Sequence, residues 1–380
     1  MRLIYIYPAL TTVGGADRVI VDKANYFAEK CGYEVYIVTT HQNGQPSFFP
    51  LSEKVKHIDL GVNFNEQYRH SFFVRGFIYL KLLRIYKKKL SNVLNELKAD
   101  FTLTTISRDI DFLHSIKDGS IKIAEAHISK KYLRNLHLMQ KGNFLYRIAG
   151  KIWEYRLEKA VKKFNAFVVL TQKDADNWKM IRSCTIIPDS LPFFPNKVSD
   201  CKKKQILSVG RLYEQKGYDM LIEAWLLVVK KHPDWKLYIY GSGELQEYLI
   251  GLIIKKGLSD SLFIKEPIKN IVDKYIESSL YVMSSRFEGF GMVLVEAMAC
   301  GLPVISFDCP DGPSDIIANN EDGILVENGN IQQLAEKMSY MIEHEEIRVQ
   351  MGQRARENVK RYNQETIMQK WIELFQSLKN

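Results

Sequence analysis

Short apolar and β-branched runs recur along the chain, each followed by a stretch with helical spacing. Leu3–Tyr7, Glu34–Thr39, Phe101–Ile106, Ile121–Ala126 and Ala166–Leu170 show little polar alternation, which predicts strands buried on both faces of a parallel sheet. Helical patterns at Arg18–Glu29 and Leu80–Leu97 separate them. A second series has strands at Gln205–Val209, Lys236–Tyr240, Leu280–Met283 and Pro303–Phe307. Its helices are expected at Asp219–Lys230, Gly291–Ala299 and Ile331–Glu343. Between the two series, the polar stretch Ile187–Lys204 carries Pro188, Pro192 and Pro195, as a linker would. Alternating βα units on both sides of a break predict two doubly wound α/β domains, 1–190 and 204–362. A last helix, about Gln364 to Leu378, lies in 363–380 and is expected to cross back onto the first domain. The ligand of such an architecture belongs at the carboxyl ends of the strands, in the cleft between domains.

Length supports two cores, because 380 residues are long for one. A hydrophobic content of 46% and a charged content of 26% exclude a disordered or fibrous chain. The run Leu3–Tyr7, closed by Pro8, is too short for a signal-peptide core. No stretch approaches the roughly 18 apolar residues of a spanning helix. Cys31, Cys184, Cys201, Cys300 and Cys309 show no metal or redox spacing and suit a reducing compartment. Together these features predict a cytoplasmic location.

The segment Ser284–Pro303 carries the densest chemistry. Strand Leu280–Met283 runs into Ser284-Ser285-Arg286-Phe287-Glu288-Gly289-Phe290-Gly291, and a helix is predicted from there. Open amides at Phe290, Gly291, Met292 and Val293 would suit a phosphate. Glu296 sits on that helix among Leu294, Val295, Ala297, Met298 and Ala299, so the helix is expected to be buried. A buried carboxylate needs a polar partner, such as a ribose hydroxyl pair. A second constellation, Val209–Gly217, places Arg211 and Lys216 in a loop after a strand, where two cations could neutralise a diphosphate.

Further candidates follow other strands. Gly241-Ser242-Gly243-Glu244 ends one, but Gln246 stands where a dinucleotide fingerprint needs its third glycine, so an oxidoreductase is the weakest rival. Thr12-Val13-Gly14-Gly15-Ala16-Asp17-Arg18 follows the first strand. There Gly15 would let the backbone approach a ligand. His127 ends the strand Ile121–Ala126. Asp308–Ile317 is a proline- and glycine-bearing loop before a helix expected to start at Ser314 or Asp315. The pairs Asp109/Asp111 and Asp174/Asp176 have a spacing that can hold a metal, but two copies in plain settings point to chance, and no catalytic metal is expected.

Glu288 and Glu296, with seven residues between them in a Phe-Glu-Gly-Phe-Gly setting, make this chain resemble the retaining family-4 glycosyltransferases. The resemblance runs along most of the chain and is strongest in the second half. It implies the GT-B fold, two facing Rossmann-like domains with a cleft between them. It implies that Glu288 approaches the donor sugar, Glu296 holds the nucleotide ribose and the loop amides take the diphosphate. Arg211 and Lys216 would stabilise the leaving diphosphate in place of a metal, Gly241, Gly243 and Glu244 would line the donor pocket, and His127 would contact the sugar. The family more often carries Glu where this chain has Asp17 and Asp315. The implied reaction moves a hexose or N-acetylhexosamine from a nucleotide-diphosphate sugar, with uridine favoured, to a glycan hydroxyl in cell-surface polysaccharide synthesis. No cofactor is expected. Rival readings are a GT-B-like sugar-nucleotide epimerase and a non-catalytic sugar-nucleotide-binding partner in a membrane complex.

The net charge of +9 changes this picture in one respect, because it is uneven. Residues 1–195 hold 30 Lys and Arg against 18 Asp and Glu, whereas the remainder holds 23 against 26. From Arg69 to Lys98 eight bases face one acid, Glu96, with Phe77, Tyr79 and Tyr86 interleaved, and residues 128–163 are similar. Basic amphipathic helices with aromatics suit an anionic membrane surface. No nucleic-acid motif accompanies the charge, so nucleic acid is not expected as a partner. The acceptor is accordingly expected to be a growing glycan on a polyprenyl-diphosphate lipid, with the protein peripheral on the inner membrane face.

Overall fold

The computed structural model describes residues 1–12, 14–135, 139, 143–181, 184–268 and 270–379, so Val13 and parts of the basic stretch 128–163 lie outside the described residues. The chain divides into two compact units, Met1–Pro188 with Ile367–Asn380, and Asp189–Thr366.

The first unit is built on β1 (Arg2–Tyr7), β2 (Glu34–Thr39), β3 (Val55–Asp59), β4 (Phe101–Thr104), β5 (Ile121–Ala126), β6 (Ala166–Val169) and β7 (Thr185–Ile186). They pair in parallel in the order β3-β2-β1-β4-β5-β6-β7, with Leu3 opposite both Val35 and Phe101. Past Arg2 and Glu34 at their starts, β1 and β2 are buried on both faces without alternation, as strands with helices on both faces are. Helix Gly15–Glu29 packs on one face, where its Phe27 meets Phe375 of the last helix, Gln364–Lys379, at 5.6 Å. Phe375 also lies 4.7 Å from Phe101 on β4. Helices Phe72–Leu97 and Phe144–Val161 contribute Tyr86, Leu90, Leu94, Leu157 and Val161 to a single core cluster of that unit.

The second unit repeats the plan with β8 (Gln205–Val209), β9 (Lys236–Tyr240), β10 (Leu262–Lys265), β11 (Leu280–Met283), β12 (Val304–Phe307) and β13 (Gly323–Val326). Its order is β10-β9-β8-β11-β12-β13, again parallel. Both sheets thus have the Rossmann-like 3-2-1-4-5 arrangement, and each has a switch point between its first and fourth strands. Three expected strands are shorter than predicted, Ala166–Leu170 by its last residue. At the end of β4, Ile106 turns out of the strand with φ 34°, and Pro303 has no amide to donate to a ladder.

Candidate functional site

At a switch point the crossovers leave in opposite directions, so the loops after the two strands stand side by side. In the second unit those are the loops after β8 and β11, which carry the two strongest sequence constellations. Lys216 Nζ donates to Glu288 Oε1 at 2.6 Å, and Ser285 Oγ donates to the same oxygen at 2.6 Å. The Lys216 and Glu288 side chains are only 15% and 8% exposed.

Local packing explains how two loops are held at this distance. Gly217 has φ 61°, and a Cβ there would lie 2.1 Å from the Ser284 carbonyl oxygen, so only glycine lets the loops close. Ser284 Oγ donates to the Lys216 carbonyl at 2.9 Å, and the Arg286 amide donates to the Gln215 carbonyl at 2.7 Å. The Arg286 guanidinium clasps Asp219 through two bonds of 2.9 and 2.6 Å. Hydrogen bonds to Arg286 raise its pKa while lowering that of Asp219 against the cost of burial. The turn after β9 closes the other side. Leu212 donates to the Ser242 carbonyl at 2.9 Å, and a Cβ at Gly241 would lie 1.9 Å from the Gly210 oxygen. A Cβ at Gly243 would lie 2.6 Å from the Leu212 oxygen, whereas Glu244 is exposed.

Arg211 stands apart from the ion pair. It is exposed, with its guanidinium 5.5 Å from the centre of the Tyr213 ring. Phe290 is buried, its ring 5.3 Å from that of Tyr362. Helix Met292–Ala299 begins after Gly291 with no side chain capping it, which leaves the N-terminal amides of Met292 and Val293 oriented as a helix start presents them. The loop after β12 is pinned through main-chain atoms, because the Asp315 carbonyl accepts from Tyr362 Oη at 3.0 Å.

Glu296 corrects the sequence argument. It is buried as expected, but a protein group supplies a polar partner: Tyr275 Oη donates to Glu296 Oε2 at 2.9 Å. The Tyr275 ring packs 5.7 Å from that of Tyr281, whose hydroxyl donates to the Val209 carbonyl at 3.3 Å. Burial followed by the neighbouring Glu296 charge pushes the Tyr275 hydroxyl well above its ordinary pKa, so it remains a donor. If Glu296 holds a nucleotide ribose, as the family resemblance implies, Tyr275→Phe should weaken nucleotide binding about tenfold through the loss of one charge-assisted bond. Calorimetric titration with UDP measures this, and turnover at saturating donor should stay within about twofold.

In the first unit Gly15 starts helix Gly15–Glu29. Asp17 is a loop clamp, accepting from Tyr7 Oη at 2.7 Å, Thr12 N at 3.0 Å and Thr12 Oγ1 at 2.9 Å. His127 Nε2 lies 3.1 Å from Glu125 Oε2, which also takes Lys23 Nζ at 2.5 Å. Lys23 in turn lies 4.0 Å from the centre of the Trp371 ring. Burial opposes charge on Glu125, yet Lys23 and His127 hold it below the usual carboxylate range. Sequence reasoning missed Lys23 and Glu125, although each was visible as a charge inside an apolar pattern. Tyr275, Ser285 and Asp219 gave no such signal. Asp109 is buried against Tyr86 Oη and Thr104 Oγ1, and Asp174 accepts from the Lys130 amide at 2.9 Å and Trp178 Nε1 at 3.3 Å. Among the described residues no group of three or more His, Cys, Asp or Glu is placed to hold a metal, and no helix is long and apolar enough to cross a membrane.

Residues 192–358 match the family model for glycosyl transferases group 1. An uncharacterized glycosyltransferase of Haemophilus influenzae is 31% identical over 376 residues, covering 95% of this chain and 96% of the relative. A Campylobacter jejuni alpha-1,4-N-acetyl-D-galactosaminyltransferase, whose name carries a diNAcBac-PP-undecaprenol saccharide, is 24% identical over 100% of this chain and 99% of its own. Among solved structures, a variant of S. aureus TarM in complex with UDP, Fondaparinux and alpha-GlcNAc-glycerol aligns with a TM-score of 0.80. It is 17% identical and covers 98% of this chain and 99% of that one.

Proposed function

Since the chain belongs to the group 1 glycosyl transferases and has their GT-B fold, we propose that it transfers a hexose or N-acetylhexosamine from a UDP-sugar to a glycan hydroxyl with retention of configuration. The observation that carries this reading is the Lys216–Glu288 pair at the switch point. A cation beside an anion at a strand-end switch point is what a reacting sugar diphosphate would need. The C1–O bond of the donor breaks with its electron pair leaving on the diphosphate oxygen. The acceptor oxygen bonds to C1, and its proton passes to the departing phosphate. Lys216, Arg211 and the amides of Phe290, Gly291, Met292 and Val293 receive the diphosphate charge, so the step asks nothing of a metal.

Glu288 stabilises and orients the sugar. Its Oε1 already accepts from an ammonium and a hydroxyl, which makes it a poor nucleophile and favours a front-face route over a covalent one. Glu296 takes the ribose, with Tyr275 fixing the carboxylate. Contact of His127 with the sugar, and of Gly15, Gly241, Gly243 and Glu244 with the donor, rest on the family resemblance. The undecaprenol named for the C. jejuni relative and the UDP in the TarM complex support a lipid-linked acceptor at the inner membrane face and a uridine donor.

Thermal-shift titration with UDP, GDP and ADP, with and without EDTA, tests the donor. A nucleotide at 100 times its dissociation constant adds about 2.7 kcal/mol of stability. UDP should raise the melting temperature equally in both buffers. A shift abolished by EDTA would overturn the metal-free reading, and an inverted anomer in the product would overturn retention.

A further inference from the structure

The strand order of the first unit sends the crossovers from β3 to β4 and from β5 to β6 in the same direction, and right-handed crossovers place both helices on one face of the sheet. Those helices are Phe72–Leu97 and Phe144–Val161. Their inner sides share one core through Leu82, Tyr86, Leu157 and Val161. Their outer sides carry a second apolar set. Phe144, Ile148, Ile152 and Tyr155 fall on a single stripe and are 74%, 40%, 53% and 54% exposed. On the other helix Phe77 and Leu80 are 68% and 52% exposed. A helix that only covers a sheet turns one stripe inward and leaves the other polar. These two are apolar on both sides.

Charge surrounds the outer stripes with one sign. Arg147, Lys151 and Lys159 flank the first, and Lys81, Arg84 and Lys88 the second, all exposed. The acids of helix Phe144–Val161 are turned away, for Glu154 and Glu158 both pair with the buried Lys130, at 2.8 and 2.5 Å. Helix Phe72–Leu97 and the segment just past the end of helix Phe144–Val161 both reach the turn Leu113–Ser115. There Lys87 Nζ reaches Ser115 Oγ at 3.3 Å, and Lys163 Nζ lies 3.3 Å from His114 Nε2.

We propose that this face seats on an anionic lipid bilayer, its aromatic and aliphatic side chains entering the interface while the lysines and arginines meet headgroups. The proposal rests on the membrane-side acceptor argued above and adds the surface and the mode of attachment. A polyanion in solution would be held by the bases alone and would leave Ile148 and Ile152 in water. Only a partner that is anionic at its surface and apolar beneath it uses both sets.

Cosedimentation of the full chain with phosphatidylcholine vesicles, with and without phosphatidylglycerol, tests this. Binding should require the anionic lipid. Ile148→Ser with Ile152→Ser should lower partitioning about tenfold or more through lost apolar burial. Lys151→Gln with Lys159→Gln should do the same through lost surface charge, about tenfold or more. Phe77→Ser gives an independent check on the other helix. All these positions are exposed, so the variants should keep the parent melting temperature and UDP shift. That separates failure of the docking surface from failure of the transferase reading. Sensitivity to the lysines but not to the isoleucines would mean simple polyanion contact and overturn the proposal. So would a dimer abolished by the isoleucine changes without vesicle binding, which would make a second copy the occupant.

Discussion

Glu288→Gln should lower turnover by about 10²–10³-fold, the usual cost of removing one preorganised electrostatic group from a transition state. The substitution keeps the shape of the side chain and an oxygen for Ser285, so the loop after β11 should hold its course. It removes the negative charge that would face a sugar carbon becoming positive as the leaving group departs. On the proposed mechanism that interaction is made only in the transition state, so kcat and kcat/KM should fall together and the UDP shift should survive. Steady-state kinetics with the parent donor measure this. Turnover within a few-fold of the parent would remove Glu288 from the chemistry.

The βα rhythm was legible in the sequence because the inner strands are buried on both faces and so are apolar without alternation. Four strands it did not reveal lie at sheet edges. Of these β13, Gly-Ile-Leu-Val, is mostly buried and escaped notice because it is only four residues long, whereas the other three are more exposed or shorter. β3, Val-Lys-His-Ile-Asp, exposes three of its five residues, β10 is half-exposed, and β7 has two residues. None of these three has to be apolar, so none looks like a buried strand. Helix Phe144–Val161 was legible only as part of the basic amphipathic stretch 128–163, without its bounds. Its apolar residues point both inward and outward, which blurs the amphipathic period.

The candidate site was legible where backbone geometry demanded particular residues. Gly217 announced the loop after β8, and the Glu288–Glu296 spacing announced the loop and helix after β11. What joins the two constellations was not legible, because Lys216 and Glu288 are 72 residues apart and meet only through the strand order. The same holds for Tyr275, which sits 21 residues before Glu296 on a different helix. A lone tyrosine in the short helix Val272–Ile276 carries no local sign of a role, and its hydroxyl becomes informative only when its partner is known.

On the proposed mechanism Lys216→Ala should also cost about 10²–10³-fold in turnover, because the departing diphosphate would lose a positioned cation. Its effect on stability separates an ion pair from two neighbours that happen to touch. Removing the lysine leaves a mostly buried carboxylate with Ser285 as its remaining donor, and removing the glutamate charge leaves a mostly buried ammonium. Either change alone should lower the melting temperature more than an average surface substitution, since an unpaired buried charge is costly. The double variant, Lys216→Ala with Glu288→Gln, should recover part of that loss, with a coupling of about 0.5–3 kcal/mol in a denaturant cycle. In activity the double variant should be little worse than the slower single variant, because groups that act on one transition state as a unit do not add. Strict additivity in both measurements would mean that the 2.6 Å contact is incidental and that the two residues serve separate steps.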